Sequence, residues 1–203
     1  MNYLIVANGA SVSEALLKSE INTADKIILL DGAFNHFPNS HSFDFLLGDF
    51  DSLVEDTESE QEFKRIHAPD QNKTDLEKGI DFALENGARS IRVLNVTGKR
   101  MDHTFANISL LKRFDFPIFL IDDHSVIYRL PNHFEKHFQK GQIISLLPIG
   151  LALNITTHNL VYPLKNEALE LGLRNGNSNE VAADGNVIIS HESGCLLLME
   201  CVD

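Results

Sequence analysis

The feature that most constrains the fold is an alternation of short apolar runs with helical patterns in the first half of the chain. Apolar runs of four to eight residues predict buried strands, and amphipathic segments between them predict helices. Parallel strands need crossover connections, so this alternation is typical of a parallel sheet covered by helices. The predicted strands span residues 3–7, 26–30, 43–47, 91–96 and 117–121.

Two helices can be placed from their end signals. Thr74 and Glu77 have the spacing of a capping box, which predicts a helix that starts at Thr74 or one residue later and ends before Gly87. A second helical pattern runs from Asp102 to about Arg113, where Pro117 follows.

After Asp123 the pattern changes to strand-like runs separated by Gly, Asn or Pro. The chain is therefore predicted to consist of a Rossmann-like α/β domain over residues 1–124 and a smaller all-β sandwich domain over residues 125–203. Residues 174–179 are predicted to be a polar loop, and residues 133–137 a solvated surface segment. The predicted strands of this domain span residues 125–128, 142–147, 151–155, 187–189 and 195–199.

Composition narrows the classes of function. The chain has 203 residues, 43% of them hydrophobic, and a formal net charge of −12. It can bury a core, and it lacks the clustered basic residues with which proteins bind nucleic acid. An acidic balance suits Mg²⁺ held between carboxylates and substrate phosphates, although most acidic proteins are simply soluble. The first residues lack the features of a signal peptide or a membrane span, and the two cysteines favour unbridged thiols in the cytoplasm.

Unusual sequences follow the predicted parallel strands. Ligands of such sheets bind outside the carboxyl ends of the strands, so these segments are the candidate site. Neither a Walker loop nor a G-x-G-x-x-G sequence is present, which leaves a P-loop kinase and a dinucleotide dehydrogenase unsupported. The segments are Asp31-Gly32-Ala33-Phe34-Asn35, Gly48-Asp49-Phe50-Asp51-Ser52, Asp70-Gln71-Asn72-Lys73-Thr74-Asp75 and Gly98-Lys99-Arg100-Met101-Asp102-His103.

Asp49 and Asp51 are the strongest candidates for metal ligands. Both side chains can turn toward one site if the loop is not extended, and their mutual repulsion then calls for a cation such as Mg²⁺. The alternative is an Asp-rich turn in which Ser52 caps the following segment.

The helix that begins near Thr74 offers an anion site, because Lys73 stands beside its exposed N–H groups. Asp75 could bind a metal that holds phosphate, or it could simply complement the helix dipole. Gly98 permits a close approach of a nucleotide, Arg100 could contact phosphate, and Asp102 could fix the helix start. His103 is either part of this site or an interior histidine.

The order of these motifs resembles that of the thiamine pyrophosphokinase family. The first-half segments match in register over about a hundred residues, and the second half matches more loosely, with Tyr162 where the family usually has Trp. The matching segments are Asp31-Gly32 with Asn35, residues 48–52, 70–78 and 98–104 with Asn107, then residues 159–164 and 176–180 and a final strand with Gly194.

The resemblance implies a cytoplasmic, Mg²⁺-dependent transfer of pyrophosphate from ATP to the hydroxyl of thiamine, which releases AMP. It also implies a homodimer whose active sites combine the α/β domain of one subunit with the β domain of the other. By position, Asp49, Asp51 and Asp75 match metal and catalytic carboxylates. The nucleotide side is matched by Asp31, Asn35, Lys73, Gly98, Arg100, Asp102 and His103, and the thiamine side by Gln71, Tyr162, Ser178 and Asn179.

Two other functions stay open. A two-aspartate phosphatase could use the Asp49/Asp51 pair, although no later acidic pair or isolated lysine completes that motif. A thiamine or nucleotide sensor without catalytic activity could keep the same fold.

Overall fold

A computed structural model of the chain describes residues 1–38, 40–50 and 63–202. The chain forms two compact units. The first comprises Met1–Leu110 and Phe116–Asp123, and the second comprises Leu111–Asp115 and His124–Asp203. Asp51 and Ser52 lie outside the described residues.

The first unit is built on parallel strands, as predicted. Neighbouring strands of this unit pair in parallel, and the strand order is β6-β5-β1-β2-β3-β4. The chain moves outward from β1 to β4 and then returns to β5 on the other side of β1, so the topological switch lies between β1 and β5. The strands are β1 Asn2–Val6, β2 Lys26–Leu30, β3 Phe45–Gly48, β4 Lys64–His67, β5 Ser90–Leu94 and β6 Ile118–Ile121.

The helices of this unit place loop residues at the carboxyl ends of the strands. Helix α1 (Glu14–Thr23) is capped by the Ser13 side chain, and α2 (Asp75–Glu85) begins with the predicted capping box of Thr74 and Glu77. Helix α3 (Met101–Leu110) ends earlier than the predicted Arg113. A short 3₁₀ helix, Asp31–His36, directly follows β2. None of the helices in the described parts of the chain is both long enough and apolar enough to cross a bilayer.

The second unit contains antiparallel strands in two groups. One group has the order β12-β9-β14-β7 and the other has β11-β10-β13-β8. Glu200 accepts hydrogen bonds from the Tyr128 hydroxyl and the Lys136 ammonium and so links strands of both groups. The strands are β7 Ser125–Arg129, β8 His133–Phe138, β9 Ile143–Pro148, β10 Leu151–His158, β11 Lys165–Glu170, β12 Gly176–Glu180, β13 Gly185–Ser190 and β14 Leu196–Cys201.

The predicted polar loop at residues 174–179 is wrong for most of its length. Residues from Gly176 onward form β12, which pairs with β9. The segment at 133–137 is exposed as predicted but belongs to strand β8, which pairs with β13 along its whole length. Cross-strand hydrogen bonds decide both cases, since neither segment has a strongly apolar face.

Candidate functional site

The Asp31 side chain lies beneath the loop that follows β3. Only 3% of Asp31 is exposed, and its Oδ2 atom accepts a hydrogen bond of 2.9 Å from the Phe50 backbone N–H. A Cβ atom at Gly48 would lie 2.4 Å from the Asp31 Cβ, closer than two carbon atoms can approach. The glycine of the Gly48-Asp49-Phe50 segment therefore makes room for the aspartate of the Asp31-Gly32 segment.

The loop after β3 turns sharply at Phe50. Phe50 has a φ of 64°, in the left-handed region that non-glycine residues rarely adopt. The Phe50 ring stacks on His67 with centroids 6.0 Å apart. The backbone is therefore not extended at Phe50, the residue after Asp49, while Asp51 lies outside the described residues.

Gln71 holds the Asp49 carboxylate. The Gln71 Nε2 atom donates to Asp49 Oδ2 at 3.0 Å, so the segment before α2 contacts the loop after β3. This contact brings together two of the segments that the sequence placed at one rim.

The first turn of α2 supplies the second described carboxylate. The Asp75 side chain is 49% exposed, and its Oδ1 atom lies 3.2 Å from the Nζ atom of Lys78. A second salt bridge joins Lys73, just before the helix, to Asp81 within it, with 2.8 Å between Lys73 Nζ and Asp81 Oδ2. Asp75 therefore stands at the rim with a buried lysine against it, while the Lys73 ammonium contacts Asp81.

Oxygen donors at this rim suit a hard cation. Mg²⁺ prefers one or two carboxylates completed by substrate phosphate oxygens and water. Asp49 and Asp75 are carboxylates of that kind, each held by a neighbouring side chain. Within the described ranges, no group of three or more His, Cys, Asp or Glu side chains could hold a metal ion, and Asp51 falls outside those ranges.

The segment after β5 carries an exposed arginine–aspartate pair. The Arg100 guanidinium donates to both oxygens of Asp102, at 3.1 and 2.6 Å. The Asp102 pKa is lowered to about 2, chiefly by this bond to Arg100 and further by the His103 backbone N–H. His103 is exposed, so the alternative of an interior histidine is wrong. Asn35, another predicted nucleotide-side residue, is also exposed.

A cavity of about 320 Å³ adjoins the carboxyl end of β1. Its walls come from the segment between β1 and α1, from the 3₁₀ helix and the residues after it, and from Asn95 after β5. The Asn95 Oδ1 atom accepts a hydrogen bond of 3.0 Å from the Val12 backbone N–H. The cavity lies at the topological switch between β1 and β5, where open parallel sheets bind ligands.

The loops around this cavity interlock. The Lys99 Nζ atom lies 3.1 Å from both the backbone oxygen and the Oδ1 atom of Asn8. A Cβ atom at Gly32 would lie 2.2 Å from Asn8 Nδ2, and one at Gly98 would lie 2.5 Å from the Ala10 Cβ. Gly98 also has a φ of 72°, so its backbone requires a glycine for a second reason.

Of the predicted thiamine residues, Tyr162, Ser178 and Asn179 lie in the second unit, whereas Gln71 lies in the first. Asn179 is only 5% exposed; its Nδ2 atom donates to the Tyr162 backbone oxygen at 2.8 Å, and its Oδ1 atom accepts from the Tyr162 N–H at 3.1 Å. Tyr162 is 69% exposed. The Ser178 N–H donates to the Ser145 hydroxyl at 2.9 Å. Asn179 thus fixes the backbone that carries Tyr162.

Comparison with known proteins assigns both halves of the chain. Residues 17–120 match the family described as thiamin pyrophosphokinase, catalytic domain, and residues 132–196 match its vitamin B1 binding domain. The chain belongs to the thiamin pyrophosphokinase family.

Similar proteins occur in bacteria and in eukaryotes. Thiamine pyrophosphokinase of Bacillus subtilis (strain 168) is 32% identical over 172 residues, which cover 77% of each chain. Thiamin pyrophosphokinase 1 of Caenorhabditis elegans is 28% identical over 197 residues, 88% of this chain and 80% of the relative. The crystal structure of the Bacillus subtilis enzyme covers 100% of both chains, with a TM-score of 0.84 at 25% identity.

Sequence reasoning missed the segment between β1 and α1 in this thiamin pyrophosphokinase family member. The catalytic-domain match begins at Leu17, so the cavity residues before it also fall outside that match. The rule that ligands bind at the carboxyl ends of parallel strands could have identified this segment, because Asn8-Gly9 comes one residue after the end of β1.

Proposed function

We propose that this chain transfers a pyrophosphoryl group from ATP to the hydroxyl of thiamine, giving thiamine diphosphate and AMP. The observation that carries the proposal is the pair of oriented carboxylates, Asp49 and Asp75, inside the segment that matches the family's catalytic domain. The names of the relatives support it. The phosphatase and sensor alternatives receive no support from these matches.

The proposed chemistry is an in-line displacement. The thiamine hydroxyl attacks the β-phosphorus of ATP, the bond between that phosphorus and the bridging oxygen of AMP breaks, and AMP leaves. Asp49, Asp51 and Asp75 are the proposed ligands of Mg²⁺, which when bound neutralises charge on the polyphosphate. One of these three carboxylates accepts the hydroxyl proton.

Around that centre, Gln71 orients Asp49 through the 3.0 Å hydrogen bond. Arg100 is the proposed phosphate-binding cation. On nucleotide binding, its guanidinium would release the Asp102 carboxylate and donate to a phosphate oxygen instead. We propose that the nucleoside of ATP occupies the cavity beside β1, whose volume is at the lower end of the usual range for ligand pockets. Gly98 keeps the neighbouring loop close to it.

The second unit is the proposed thiamine side. The exposed Tyr162 ring can stack on the flat pyrimidine or lie against the thiazolium cation, and Ser178 can add a polar contact. Asn179 acts through Tyr162, because its amide bonds to the Tyr162 backbone. We propose that the first unit is a catalytic domain with a Rossmann-like fold and that the second is a thiamine-binding domain with a β-sandwich fold.

The remaining parts of the proposal concern assembly and location. Two copies would form a homodimer, in which the first unit of one copy and the second unit of the other supply one active site. The enzyme would work in the cytoplasm, without nucleic acid or membrane as a partner.

One assay tests the proposal against its alternatives. Purified protein is incubated with ATP and Mg²⁺, with and without thiamine, and AMP is quantified. AMP that forms only with thiamine, together with thiamine diphosphate, is the expected result. AMP formed equally without thiamine would indicate a hydrolase, a trapped phospho-enzyme would indicate a phosphatase, and thiamine binding without AMP release would indicate a sensor.

A further inference from the structure

Strand β12 contains a bulge at the predicted thiamine residue Ser178. Gly176 pairs with Leu146 of β9 and Asn179 pairs with Ile144, so β12 has one more residue than β9 between these two pairs. Such an extra residue bends the strand and turns its side chains in a new direction. Ser178 has a φ of 52°, in the left-handed region that non-glycine residues rarely adopt. The direction of its side chain therefore depends on this unusual backbone.

Ser145 is the residue of β9 that lies opposite the bulge. It stands between Ile144 and Leu146 and is only 8% exposed. Its hydroxyl accepts a hydrogen bond of 2.9 Å from the Ser178 backbone N–H. An N–H that a bulge removes from the regular ladder needs another acceptor. The Ser145 hydroxyl provides this acceptor and so supports the left-handed conformation of Ser178.

The part of β9 around Ser145 is otherwise suited to apolar side chains. Ile144 and Leu146 are buried, and Ser145 pairs with Met199 of the neighbouring strand β14. A buried hydroxyl in such a place is unfavourable unless it is hydrogen-bonded, and the Ser178 N–H meets that requirement. An alanine would fit the same space but would leave the Ser178 N–H without its acceptor.

The bulge also connects Ser178 to the loop that carries Tyr162. Asn179 follows Ser178 directly, and its amide bonds to both the N–H and the oxygen of the Tyr162 backbone. The Val161 N–H donates to the backbone oxygen of Glu180 at 2.9 Å, so this loop runs beside the end of β12. Ser178 and Tyr162 are both exposed. Two exposed residues that are predicted to contact thiamine are thus linked through the bulged strand.

We infer that Ser145 is a positioning residue for thiamine. Its hydroxyl fixes the bulge in β12, and the bulge directs the Ser178 hydroxyl toward the second substrate. Because Ser145 is buried beneath the bulge, it acts through Ser178 rather than by touching the substrate. The inference rests on the proposed function for the identity of the ligand, thiamine.

The test measures equilibrium binding of thiamine to the full chain by calorimetry, with Mg²⁺ and saturating α,β-methylene-ATP. This analogue cannot be cleaved at the bond that the proposed reaction breaks. Ser145→Ala is expected to raise the Kd for thiamine about fivefold, because the Ser178 N–H loses its acceptor and the bulge relaxes. The Kd for the analogue alone should match that of wild type. Ser190→Ala, which removes a half-buried hydroxyl from β13 in the other group of strands, is the matched control.

Two further variants at the same position test the role of the hydroxyl. Ser145→Thr keeps the hydroxyl and is expected to recover most of the affinity for thiamine. Ser145→Cys keeps the size of the side chain but is a weak acceptor, so it should lose affinity as alanine does. The cysteine variant also serves if Ser145→Ala fails to fold, which thermal melting of each variant would reveal.

A comparison in a second background separates an effect through Ser178 from a general loss of order. Ser178→Gly has no hydroxyl, and glycine adopts a positive φ without strain. This variant should itself weaken thiamine binding, and adding Ser145→Ala to it should cause little further loss. A full additional loss in this background would overturn the inference. So would Ser145→Ala that binds thiamine as tightly as wild type, or that loses affinity for thiamine and the analogue equally.

The result can be told apart from a failure of the proposed function. If wild type binds thiamine but forms no AMP with it, and Ser145→Ala loses affinity for thiamine, the proposed function fails and the inference stands. If wild type forms AMP with thiamine and Ser145→Ala binds thiamine normally, the function stands and the inference fails. A wild type that does not bind thiamine would overturn both.

Discussion

Gln71 donates a 3.0 Å hydrogen bond from Nε2 to Oδ2 of Asp49, joining the segment before α2 to the loop after β3. The two residues are 22 positions apart in the sequence. The bond gives the carboxylate a fixed direction at the rim, and partners that orient metal-binding carboxylates commonly matter nearly as much as the ligands.

Gln71→Leu is therefore expected to lower the rate of AMP formation from ATP and thiamine about tenfold or more. The leucine keeps a similar size but cannot donate, so Asp49 loses its orientation. Steady-state rates at saturating substrates measure the effect. Gln139→Leu, at an exposed position of the second unit, is the control and should match wild type. Equal rates for Gln71→Leu and wild type would contradict the role of this bond.

Gly48→Ala is expected to reduce both activity and thermal stability. The added methyl would lie 2.4 Å from the Asp31 Cβ and would displace either Asp31 or the loop that carries Asp49. Overpacking of this kind costs about 1–3 kcal/mol, or about 2–12 °C in the melting temperature of a chain of this size.

Gly87→Ala serves as the comparison for that variant. Gly87 has a φ of 79°, and a Cβ atom at this position would have no neighbouring atom within 4 Å, so alanine there strains only the backbone at the end of α2. Its melting temperature should fall while its rate of AMP formation stays normal. A Gly48→Ala protein with normal activity would show that the Asp31 contact does not shape the site.

The pH dependence of Asp102 reports on Arg100. The Asp102 pKa lies at about 2, below its ordinary value of 3.8, chiefly because Arg100 bonds to the ionised carboxylate. A depressed pKa means that the contribution to folding stability is present above pH 4 and is lost as the pH falls toward 2. Carboxyl-carbon NMR titration of Arg100→Met should show the Asp102 midpoint rising toward 3.8.

The same titration tests the proposed exchange of partners. If a phosphate takes Arg100 from Asp102, saturating AMP should raise the Asp102 pKa in wild type but leave it unchanged in Arg100→Met. Arg89→Met, at another exposed arginine of the same unit, should titrate like wild type. A midpoint that does not move in Arg100→Met would contradict the pairing.

Filling the cavity beside β1 should weaken nucleotide binding. Ser11 is exposed at the cavity wall, so Ser11→Phe can place its ring in the cavity without straining the core. The KM for ATP is expected to rise about tenfold, which corresponds to about 1.4 kcal/mol of lost binding, with a smaller change in the KM for thiamine. Ser19→Phe, on an exposed position of α1 outside the cavity, is the control. A selective rise in the KM for thiamine would instead place the second substrate there.

Asn179→Ala should act mainly on thiamine. Loss of the amide leaves the Tyr162 backbone N–H and oxygen without the partners they have in wild type, and Tyr162 is then held less firmly. An unsatisfied buried group costs about 1–3 kcal/mol, and the KM for thiamine should rise more than that for ATP. Asn186→Ala, whose amide bonds to the exposed Glu135, should leave both values unchanged. Equal changes in both KM values would argue against a role through Tyr162.

Local sequence signals were sufficient for the elements with strong end signals or buried apolar runs. The capping box of Thr74 and Glu77 begins α2 as predicted, and β2 occupies residues 26–30 as predicted. Strand β4 was missed because Lys64–His67 is almost wholly polar and becomes a strand through its register with β3. Strand β12 was missed for the same reason, since Asn and Ser are poor strand formers that pairing with β9 overrides.

The location of the site could be predicted from the sequence, but the contacts between its side chains could not. The rule for parallel sheets located the rim, and the hydrogen bond between Gln71 and Asp49 shows two of its segments in contact. Periodicity did not indicate that Lys78 would be buried, nor that the Asn179 amide would bond to Tyr162. Both depend on which segments meet in three dimensions.

The interlocked loops around the cavity limit how this rim can be redesigned. Asn8 fills the space that a side chain at Gly32 would need, and Ala10 fills the space above Gly98. A loop grafted alone from another protein would bring side chains into positions that its neighbours already occupy. Transplanting the specificity of this rim into another scaffold would therefore require moving all three loops as one block.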